Sequence, residues 1–352
     1  MHAAIFGFGN LGRAILAALA KRPPFSVGAI VDTAPGLAGA PTASVFPAGG
    51  DCGTILPSLP PADQPTVLFH ASTSEPARAT AEIVAALEAG YSVVSAAEWL
   101  FHPWLRHGTE AATIDAAARR AGTVAMGCGV NPGFCFETLP VLVSRTMAEV
   151  NRFEILRVSN VSGVGPADFA HLGFGLTETD FRARVAEGSI EGHMGFPESI
   201  AALAECTGVA IDAIDDRLEP TLALRPVTLA HRTVALGEVA GITQVARGYR
   251  GGEPVIAMTL DMFLDPEFYG RRPREALRIE GSRTVELDIS PAAPPVPGAA
   301  AMMVHAAEAL GVMSPGLASL LDLPIGGGRL SRQLCAGPAE RDGSGSRFSI
   351  DN

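Results

Sequence analysis

Cysteine is scarce in this 352-residue sequence, and its five cysteines follow no spacing that a metal site or a disulfide framework needs. Their number is odd, and no two of them form a Cys-x-x-Cys pair. They are Cys52, Cys128, Cys135, Cys206 and Cys335. We therefore expect reduced, mostly buried thiols, no metal ion, and the cytoplasm as the compartment.

Positive charge is also in short supply, with 26 basic residues against 37 acidic ones and a formal net charge of -11. The tightest basic cluster, Arg271-Arg272-Pro273-Arg274, is too short for a nucleic-acid surface. No apolar run reaches the roughly 20 residues of a membrane span, and the apolar start at Ala3 soon meets glycines, unlike a secretory signal. These absences argue against nucleic acid and membrane as partners and favour small molecules.

What the sequence does contain is a first third in which short apolar runs alternate with helical segments. Strands are predicted at 3–8, 26–32, 66–71, 91–96 and 123–127. Helices are predicted at 11–21, 75–89 and 104–121, with an irregular excursion at 33–65. Strands joined by helices of this length form a parallel sheet with right-handed crossovers. Residues 1–133 are therefore predicted to form an α/β Rossmann domain.

Further along, the pattern changes to strands in series, at 153–161, 227–236, 239–249 and 255–263, with a pair within 277–289. The turn Arg250-Gly251-Gly252-Glu253 is typical of a hairpin, and helices are predicted at 178–187 and 198–207. We expect an α+β domain with a mixed or antiparallel sheet over 134–296, for substrate binding and dimerisation. A C-terminal segment, 297–336 with a helix at 298–310, should pack back on the core, and 337–352 should form a flexible tail.

The first predicted strand ends in a glycine-rich turn, Gly7-Phe8-Gly9-Asn10-Leu11-Gly12, which opens the first helix. In a dinucleotide fingerprint the first glycine permits the tight turn, the second lets the backbone approach the pyrophosphate, and the third lets helix pack on strand. The pyrophosphate then meets the N–H groups of the helix N-terminus. The turn therefore predicts a nicotinamide dinucleotide cofactor; a glycine turn without a nucleotide is the alternative.

Asp32, at the end of the second strand, is predicted to accept the ribose hydroxyls of the cofactor and to repel a 2′-phosphate. The three residues after it offer no cation for such a phosphate, so NAD is expected rather than NADP. His70, Ala71 and Ser72 follow another strand, where such folds line the ribose and nicotinamide. His70 is equally consistent with a structural role.

Glu98 also follows a predicted strand, and ligands of open parallel sheets bind beyond such carboxyl ends. Two tryptophans and a phenylalanine stand close to it in the sequence, and the partial desolvation they imply is expected to raise a carboxylate's pKa towards the range of a general base. Trp99 and its neighbours would then exclude water and pack on the substrate. The alternative is a glutamate at a helix N-terminus, which the helix dipole favours.

The segment Gly127-Cys128-Gly129-Val130-Asn131-Pro132-Gly133-Phe134 follows the next strand end. Its glycines permit close backbone approach. Asn131 is predicted to donate to the nicotinamide amide or to shape the loop, Pro132 to start the next helix, and Phe134 to contact substrate. Cys128 leaves open a cysteine nucleophile, as in semialdehyde dehydrogenases, but an activated thiol needs a base and the sequence identifies none.

These segments together resemble the 2,4-diaminopentanoate dehydrogenases and related native amine dehydrogenases, which share a fold with dihydrodipicolinate reductase. The resemblance covers nearly the whole chain and rests on GFGNLG, VVSAAEWLFHP, GCGVNPG, GHMGFPES and PGLASLLDLP. It implies reversible oxidative deamination of a primary amine to a ketone and ammonia, with Glu98 as the catalytic carboxylate. Arg157 and His193, each otherwise explained as a core-edge residue, fall on the family's pocket positions. Since relatives form dimers, a homodimer is expected.

The sequence also departs from this family. Trp99 stands where the family often has a second acid, and Ser159 takes the asparagine place of an Arg-x-Asn pattern. Asn160 comes one residue later, which on a strand means the opposite face. Arg157 remains the candidate for holding a substrate carboxylate, and Asn160 a candidate for substrate contact. An imine or semialdehyde reductase of the same fold and a non-enzymatic NAD-binding protein are the alternatives.

Overall fold

A computed structural model describes residues 1–22 and 25–322, and the first part of the chain in it forms a parallel sheet. Strands β1 to β5 are His2–Phe6, Ser26–Val31, Thr66–His70, Tyr91–Ser95 and Val124–Gly127. Helices α1 to α4 are Asn10–Leu19, Thr42–Val45, Pro76–Glu88 and Gly108–Ala121. The central strands are continuous apolar runs because helices cover both faces of the sheet. The carboxyl ends of all five strands lie along one edge.

The second part of the chain forms a sheet of a different kind. Strands β6 to β13 are Val150–Asn160, Ala213–Leu222, Val227–Thr228, Thr233–Val234, Val239–Arg250, Glu253–Phe263, Arg274–Gly281 and Val285–Ile289. Helices α5 to α8 are Leu139–Ser144, Pro166–His171, Glu178–Ala186 and Phe196–Thr207. Six strands pair in the order β13-β12-β6-β11-β10-β7, with β6 and β11 parallel and the other pairs antiparallel. This confirms the predicted mixed sheet.

One strand of this sheet was predicted in the wrong place. The expected strand at 227–236 is two short pieces, β8 and β9, which pair with each other. The strand that completes the sheet is β7, whose sequence AIDDRLEPTL is charged and contains Pro220. Charge and proline are typical of edge strands, and β7 lies at the sheet edge beside β10. Because its exposed positions carry charged residues on both sides of the strand, the sequence of β7 does not show the alternation of apolar and polar residues that predicts a strand.

The end of the described chain returns to the first sheet. Helix α9 (Pro295–Ala309) packs against α1, and the two-residue strand β14 (Gly316–Leu317) pairs in parallel with β5. A strand of two residues is too short to show the alternation of apolar and polar residues by which a sequence predicts strands. The tail predicted at 337–352 lies outside the described residues. Among the helices of residues 1–22 and 25–322, none has the length and apolar character of a membrane span.

Two predicted helix starts next to the strand ends differ from the structure. Pro132 does not begin a helix, because the chain turns again at Gly133 and a π-helical turn, Phe134–Thr138, leads into α5. Helix α4 begins at Gly108 rather than at 104, because Pro103–Leu105 forms a separate 3-10 turn. Both changes add irregular backbone at the edge of the sheet where ligands bind.

Candidate active site

The turn after β1 has the geometry that a dinucleotide pyrophosphate needs. Gly7 has a φ of +96°, and a Cβ there would lie 2.5 Å from the Ala71 carbonyl carbon. A Cβ at Gly12 would lie 2.0 Å from the Gly7 carbonyl oxygen, so α1 packs on the turn because no side chain intervenes. A Cβ at Gly9 would meet nothing within 4 Å, so the backbone there borders open space at the start of α1. The three glycines fit the three roles of the fingerprint.

Asp32 follows β2 and lies beside this turn. Its Oδ2 accepts the Phe8 N–H at 2.6 Å, and its Oδ1 accepts the Ala34 N–H at 2.8 Å. The fold also brings Arg78 of α3 towards Asp32. The pKa of Arg78 is raised, chiefly by its hydrogen bond to Glu82 and the charge of Glu82, with a smaller contribution from Asp32. The sequence pattern around Asp32 did not predict this cation.

His70 and Ser72 belong to a polar network under the strand ends. His70 is fully buried; its Nδ1 lies 2.8 Å from Ser95 Oγ and its Nε2 lies 3.0 Å from Glu82 Oε2. Ser72 also hydrogen-bonds Glu82. Burial raises the pKa of Glu82, but hydrogen bonds from His70, Ser72 and Arg78 outweigh burial and lower it to about 2. The network explains His70 structurally, and its contact with cofactor stays a prediction.

Glu98 stands directly beyond the carboxyl end of β4, as the first residue of the 3-10 turn Glu98–Phe101. Its side chain is 29% exposed, and its Oε1 lies 3.0 Å from Nδ1 of His193, whose side chain is 9% exposed. His193 comes from the loop before α8, in the second domain. Within the described chain, no hydrogen bond engages the second carboxylate oxygen of Glu98. The structure thus brings the two predicted residues together and leaves one oxygen free.

The loop that carries His193 is held by Gln244 of β10 and by a glycine. Gln244 Oε1 accepts the His193 N–H at 2.8 Å, and its Nε2 donates to the His193 carbonyl at 3.2 Å. Gly195 has a φ of +97°, and a Cβ there would lie 3.3 Å from the Glu98 carbonyl oxygen. The GHMG segment therefore packs closely on the backbone of Glu98, and a side chain at Gly195 would be strained by its positive φ and crowded by that backbone.

The electrostatic surroundings raise the pKa of His193. Burial lowers its pKa, but the charge and hydrogen bonding of Glu98, with a smaller contribution from the charge of Glu137, outweigh burial, so that the pKa is raised overall. Arg157 acts in the opposite direction. Glu98 therefore acts on the pKa of His193 across the contact between the two domains.

Glu137 is a second carboxylate near His193, and no sequence pattern predicted it. It lies in the π-helical turn Phe134–Thr138, has no exposed surface, and accepts the Gly133 N–H on Oε2 at 2.7 Å. Burial raises its pKa to about 7, against the lowering effects of Ser199, Gly133 and His193. The π-helical turn directs this carboxylate inward, and local periodicity does not reveal such turns.

A further ion pair that the sequence pattern did not predict joins the two domains beside the site. Arg106 donates through Nε and Nη2 to the two carboxylate oxygens of Glu198, at 2.6 and 2.8 Å. Glu198 is fully buried in the first turn of α8, and Arg106 follows the 3-10 turn Pro103–Leu105. This bidentate pair holds the segment after β4 against α8 and so fixes Glu98 relative to His193.

Arg157 is satisfied inside the second domain. It is 2% exposed and pairs with Glu275 of β12. It also donates to Cys135 Sγ at 2.8 Å and to the Ala293 carbonyl at 2.7 Å, and Glu275 accepts the Ala293 N–H at 2.9 Å. A substrate carboxylate would have to displace Glu275, so direct contact with Arg157 stays a prediction that this conformation does not support.

Three further predicted substrate residues have these surroundings in the structure, and their contact with substrate stays a prediction. Trp99 is 1% exposed within the core of the first domain, so its indole has no face for a substrate in this conformation. Asn160 is exposed, and its Oδ1 accepts the Ser162 N–H at 2.9 Å. Phe134 is partly buried against the core of the second domain. The contact that the structure gives Glu98 is the one with His193, and the charge of Glu98 also raises the pKa of Asp168, after burial and against a hydrogen bond to Gly165.

The remaining predicted cofactor residues lie near the glycine turn or the strand ends. Asn10 and Leu11 open α1, and the Asn10 side chain approaches Gly165 of the second domain. Asn131 Oδ1 is buried without a hydrogen-bond partner in residues 1–22 and 25–322, as an amide that serves a ligand would be. Burial raises the pKa of the Cys128 thiol, which opposes a nucleophilic role. The described residues contain no cluster of three metal-ligating side chains.

A Rossmann sheet with an open glycine turn, whose site is completed by side chains from a second domain, is the construction of a two-domain dinucleotide-dependent dehydrogenase. Comparison with known sequences specifies the class. A sequence model of the 2,4-diaminopentanoate dehydrogenase C-terminal domain matches residues 134–332. The 2,4-diaminopentanoate dehydrogenase of Acetoanaerobium sticklandii is 31% identical over 240 residues, 68% of each chain. The chain belongs to the 2,4-diaminopentanoate dehydrogenase family, NAD(P)-dependent oxidoreductases that act on amines.

A solved structure agrees with the fold. The amine dehydrogenase from Mycobacterium smegmatis matches with a TM-score of 0.82 at 19% identity, over 94% of this chain and 97% of that one. At this identity the likeness shows the fold alone. It confirms the prediction of a Rossmann sheet joined to an α+β domain with a mixed sheet.

Proposed function

We propose that this chain catalyses the reversible oxidative deamination of a small primary amine to a ketone and ammonia, with NAD as cofactor. The observation that carries the proposal is the Glu98–His193 pair, a part-exposed carboxylate at a parallel strand end joined at 3.0 Å to an imidazole of the other domain. Deamination needs a group that takes the ammonium proton and a counter-charge for the iminium that follows. Membership of the family supports the same class of reaction.

The cofactor would be held by residues already described. Gly7, Gly9 and Gly12 would receive the pyrophosphate, and Asp32 the ribose hydroxyls. When bound, the cofactor supplies the nicotinamide ring that exchanges hydride with the substrate carbon. Asn131 is the candidate for the carboxamide, because its Oδ1 lacks a hydrogen-bond partner among the described side chains.

The preference for NAD over NADP rests on Asp32. Its charge at the end of β2 repels a 2′-phosphate. Arg78 is the cation that the fold brings near, but its Nε already donates to Glu82 at 2.8 Å. This pairing supports NAD, because a phosphate would have to compete with Glu82 for the arginine.

Glu98 carries the proton steps of the proposed mechanism. It takes the proton from the substrate ammonium, which frees the nitrogen lone pair to assist the loss of hydride. Its 29% exposure lets that proton pass to water. The carboxylate then offsets the charge of the iminium and activates the water that attacks it, and the carbinolamine collapses to ketone and ammonia.

His193 positions Glu98 for these steps. Its Nδ1 lies 3.0 Å from Oε1, which leaves Oε2 for the substrate ammonium. A donor that is fixed by Gln244 and buried to 9% exposure keeps one orientation of the carboxylate throughout the cycle. His193 therefore acts through Glu98 rather than on the substrate carbon.

The substrate class follows from the state of Arg157. Because Arg157 is paired with Glu275 and is 2% exposed, we propose that this chain accepts primary amines without a carboxylate as well as amino acids. A diamino acid such as the substrate named for the Acetoanaerobium sticklandii relative would use a different group for its carboxylate.

We further propose a cytoplasmic homodimer built through the second domain. The four described cysteines are free thiols, which supports a reducing compartment. The sheet face formed by β6, β11, β12 and β13 is an open depression with apolar residues Leu156, Ala257 and Leu287 between charged ones. We expect a second copy of this chain to cover this face, because twofold dimers bring the same surface of both subunits together. A monomer in light scattering at micromolar concentration would reject this part of the proposal.

The decisive experiment measures NADH oxidation with a panel of ketones, with and without ammonia, and with and without a carboxylate on the ketone. The proposal expects oxidation that requires ammonia. Oxidation of NADH with a cyclic imine and no ammonia would identify an imine reductase instead. Binding of NADH without turnover of any ketone would identify a non-enzymatic NAD-binding protein.

A further inference from the structure

The first domain holds a buried hydrogen-bond network that the proton steps above do not use, and this network ends next to Glu98. At its centre are His70, the last residue of β3, and Ser95, the last residue of β4. Neither residue has exposed surface. Buried polar side chains cost free energy unless they are hydrogen-bonded, so the partner of each donor and acceptor here is informative.

The two residues between β4 and Glu98 are held by one hydrogen bond each. The Ala96 N–H donates to the His70 carbonyl at 2.9 Å. At Ala97 the partner is a side chain, because its N–H donates to Ser95 Oγ at 3.1 Å. Ala97 is 2% exposed, so an N–H that lost this partner would be buried and unpaired. A serine hydroxyl therefore fixes the residue directly before Glu98.

The Ser95 hydroxyl also needs an acceptor for its own proton. His70 Nδ1 lies 2.8 Å from Oγ, and with the Ala97 N–H it makes up the hydrogen-bond partners that the described residues give this oxygen. An N–H does not accept, so the hydroxyl proton goes to Nδ1, which must then be the unprotonated nitrogen of the ring. The imidazole proton is therefore assigned to Nε2.

The far side of the imidazole agrees with this assignment. Nε2 lies 3.0 Å from Oε2 of Glu82, whose Oε1 accepts the Arg78 Nε–H at 2.8 Å. A carboxylate paired with an arginine accepts hydrogen bonds and donates none, so Nε2 carries the proton between them. From Ala97 to Glu82 each group then donates to the next, an arrangement in which neighbouring hydrogen bonds strengthen one another.

We propose that His70 is a positioning residue of this site, which orients the Ser95 hydroxyl and so sets the turn that carries Glu98. The inference rests on the proposed function. Both ring nitrogens of His70 are engaged and its side chain has no exposed surface, so no polar atom of the ring is left for cofactor or substrate in this structure. With the hydroxyl proton directed at Nδ1, a lone pair of Oγ stays directed at the Ala97 N–H. Because catalysis depends on the placement of the reacting group, a looser turn should lower kcat more than it affects binding.

The position of the imidazole proton tests the inference without any turnover. In protein labelled with 15N-histidine, the resonances lost in His70→Asn identify His70, and the 15N shifts of its ring distinguish a protonated nitrogen from an unprotonated one. We expect a proton on Nε2 and none on Nδ1 at neutral pH. A proton on Nδ1 would leave the Ser95 hydroxyl without its acceptor and would overturn the inference.

Two variants of His70 test its two ring nitrogens separately. His70→Asn places an amide where Nδ1 stands and keeps an acceptor for Ser95, whereas His70→Gln places an amide where Nε2 stands and keeps a donor for Glu82. Both leave part of the imidazole volume empty, so both should lose stability. We expect kcat to fall by about tenfold in His70→Gln and by no more than about threefold in His70→Asn, with KM for the ketone little changed in either. Equal kcat values in the two variants would contradict positioning through Ser95.

Ser95→Ala removes the acceptor of the Ala97 N–H itself and serves as a further variant in case those of His70 fail to fold. Its kcat should fall by about tenfold or more, and hydrogen exchange of the segment 96–101 should become faster. Ser92→Ala is the matched control, because Ser92 lies on the same strand and its Oγ also accepts a backbone N–H, that of Val124 at 3.2 Å. Its kcat should stay at the parent value. A kcat that falls as far in Ser92→Ala as in Ser95→Ala would mean that any loosening of β4 has this effect.

Failure of the inference and failure of the proposed function give different results. An unchanged kcat in folded Ser95→Ala, in protein that shows ammonia-dependent turnover, overturns the inference alone. A proton on Nε2 of His70, together with faster exchange of 96–101 in Ser95→Ala, supports the hydrogen-bond chain. If the same protein turns over no amine, the chain stands and the proposed function is rejected.

Discussion

The Glu98–His193 pair between the domains and the Arg157–Glu275 pair inside the second domain both join a carboxylate to a basic side chain, but they differ in exposure. Glu98 is 29% exposed, whereas the side chains of Arg157 and Glu275 are 2% and 3% exposed. Water and a small amine reach the first pair and not the second. Glu98 and Arg157 are both charged residues at family site positions, and exposure and partner are what distinguish them in the structure.

The difference in exposure between the two pairs predicts different effects of substitution on activity and on stability. Solvent screens the charge of Glu98, the more exposed partner of the first pair, so this pair should contribute less to folding than a fully buried one. A buried pair is strongly destabilising when one partner is removed, because the other is left as an uncompensated buried charge. Substitutions at the Glu98–His193 pair should therefore affect turnover, and substitutions at the Arg157–Glu275 pair should affect the free energy of unfolding.

The largest effect is expected for Glu98→Gln. The amide keeps the volume but neither accepts the proton nor offsets the iminium charge, so kcat should fall by roughly 10²–10⁴-fold. NADH affinity and melting temperature should stay close to those of the parent. Steady-state kinetics, NADH titration and thermal denaturation on the same variant distinguish a role of Glu98 in proton transfer from a role in folding.

Glu205→Gln is the control for Glu98. Glu205 lies 3.6 Å from His102, but its side chain is 75% exposed at the surface. Its loss should change neither turnover nor stability. Turnover of Glu98→Gln within threefold of the parent would mean that another group near the strand ends takes the proton.

The second effect is expected for Arg157→Met, which leaves Glu275 buried without its cation. The free energy of unfolding should fall by about 3–5 kcal/mol, measured by urea denaturation. Arg157→Met combined with Glu275→Gln should recover much of the loss, because no unpaired charge remains. A rise in KM confined to substrates with a carboxylate, at normal stability, would show that Arg157 binds substrate and that the two pairs share a function.

The smallest effect is expected for Asp32→Ser in combination with Thr33→Arg, at the glycine turn. Removing the charge that repels a 2′-phosphate and adding a cation should shift the ratio of kcat/KM for NADH and NADPH by about tenfold towards NADPH, or about 1.4 kcal/mol. Turnover with saturating cofactor should be preserved, because the turn is remote from the proton steps. A parent enzyme that already prefers NADPH would contradict the role of Asp32.

Several elements were predictable because their cause is local. The strands of the first sheet are continuous apolar runs, and the glycine turn is defined by spacing along the chain. Glu98 was predictable from its place after a strand end. In contrast, β7 was missed because its charged, edge-strand sequence lacks alternation, and Glu137 was missed because a π-helical turn directs it inward.

The sequence by itself determined the class of fold, the glycine turn with Asp32, and the identity of Glu98 and His193 as candidates. Tertiary structure decided which groups each candidate contacts. It joined Glu98 to His193, paired Arg157 with Glu275, buried Trp99 and brought Arg106 to Glu198. The physical reason is that apolar periodicity and glycine spacing act over a few residues, whereas charge pairing and burial depend on which groups meet when distant segments pack.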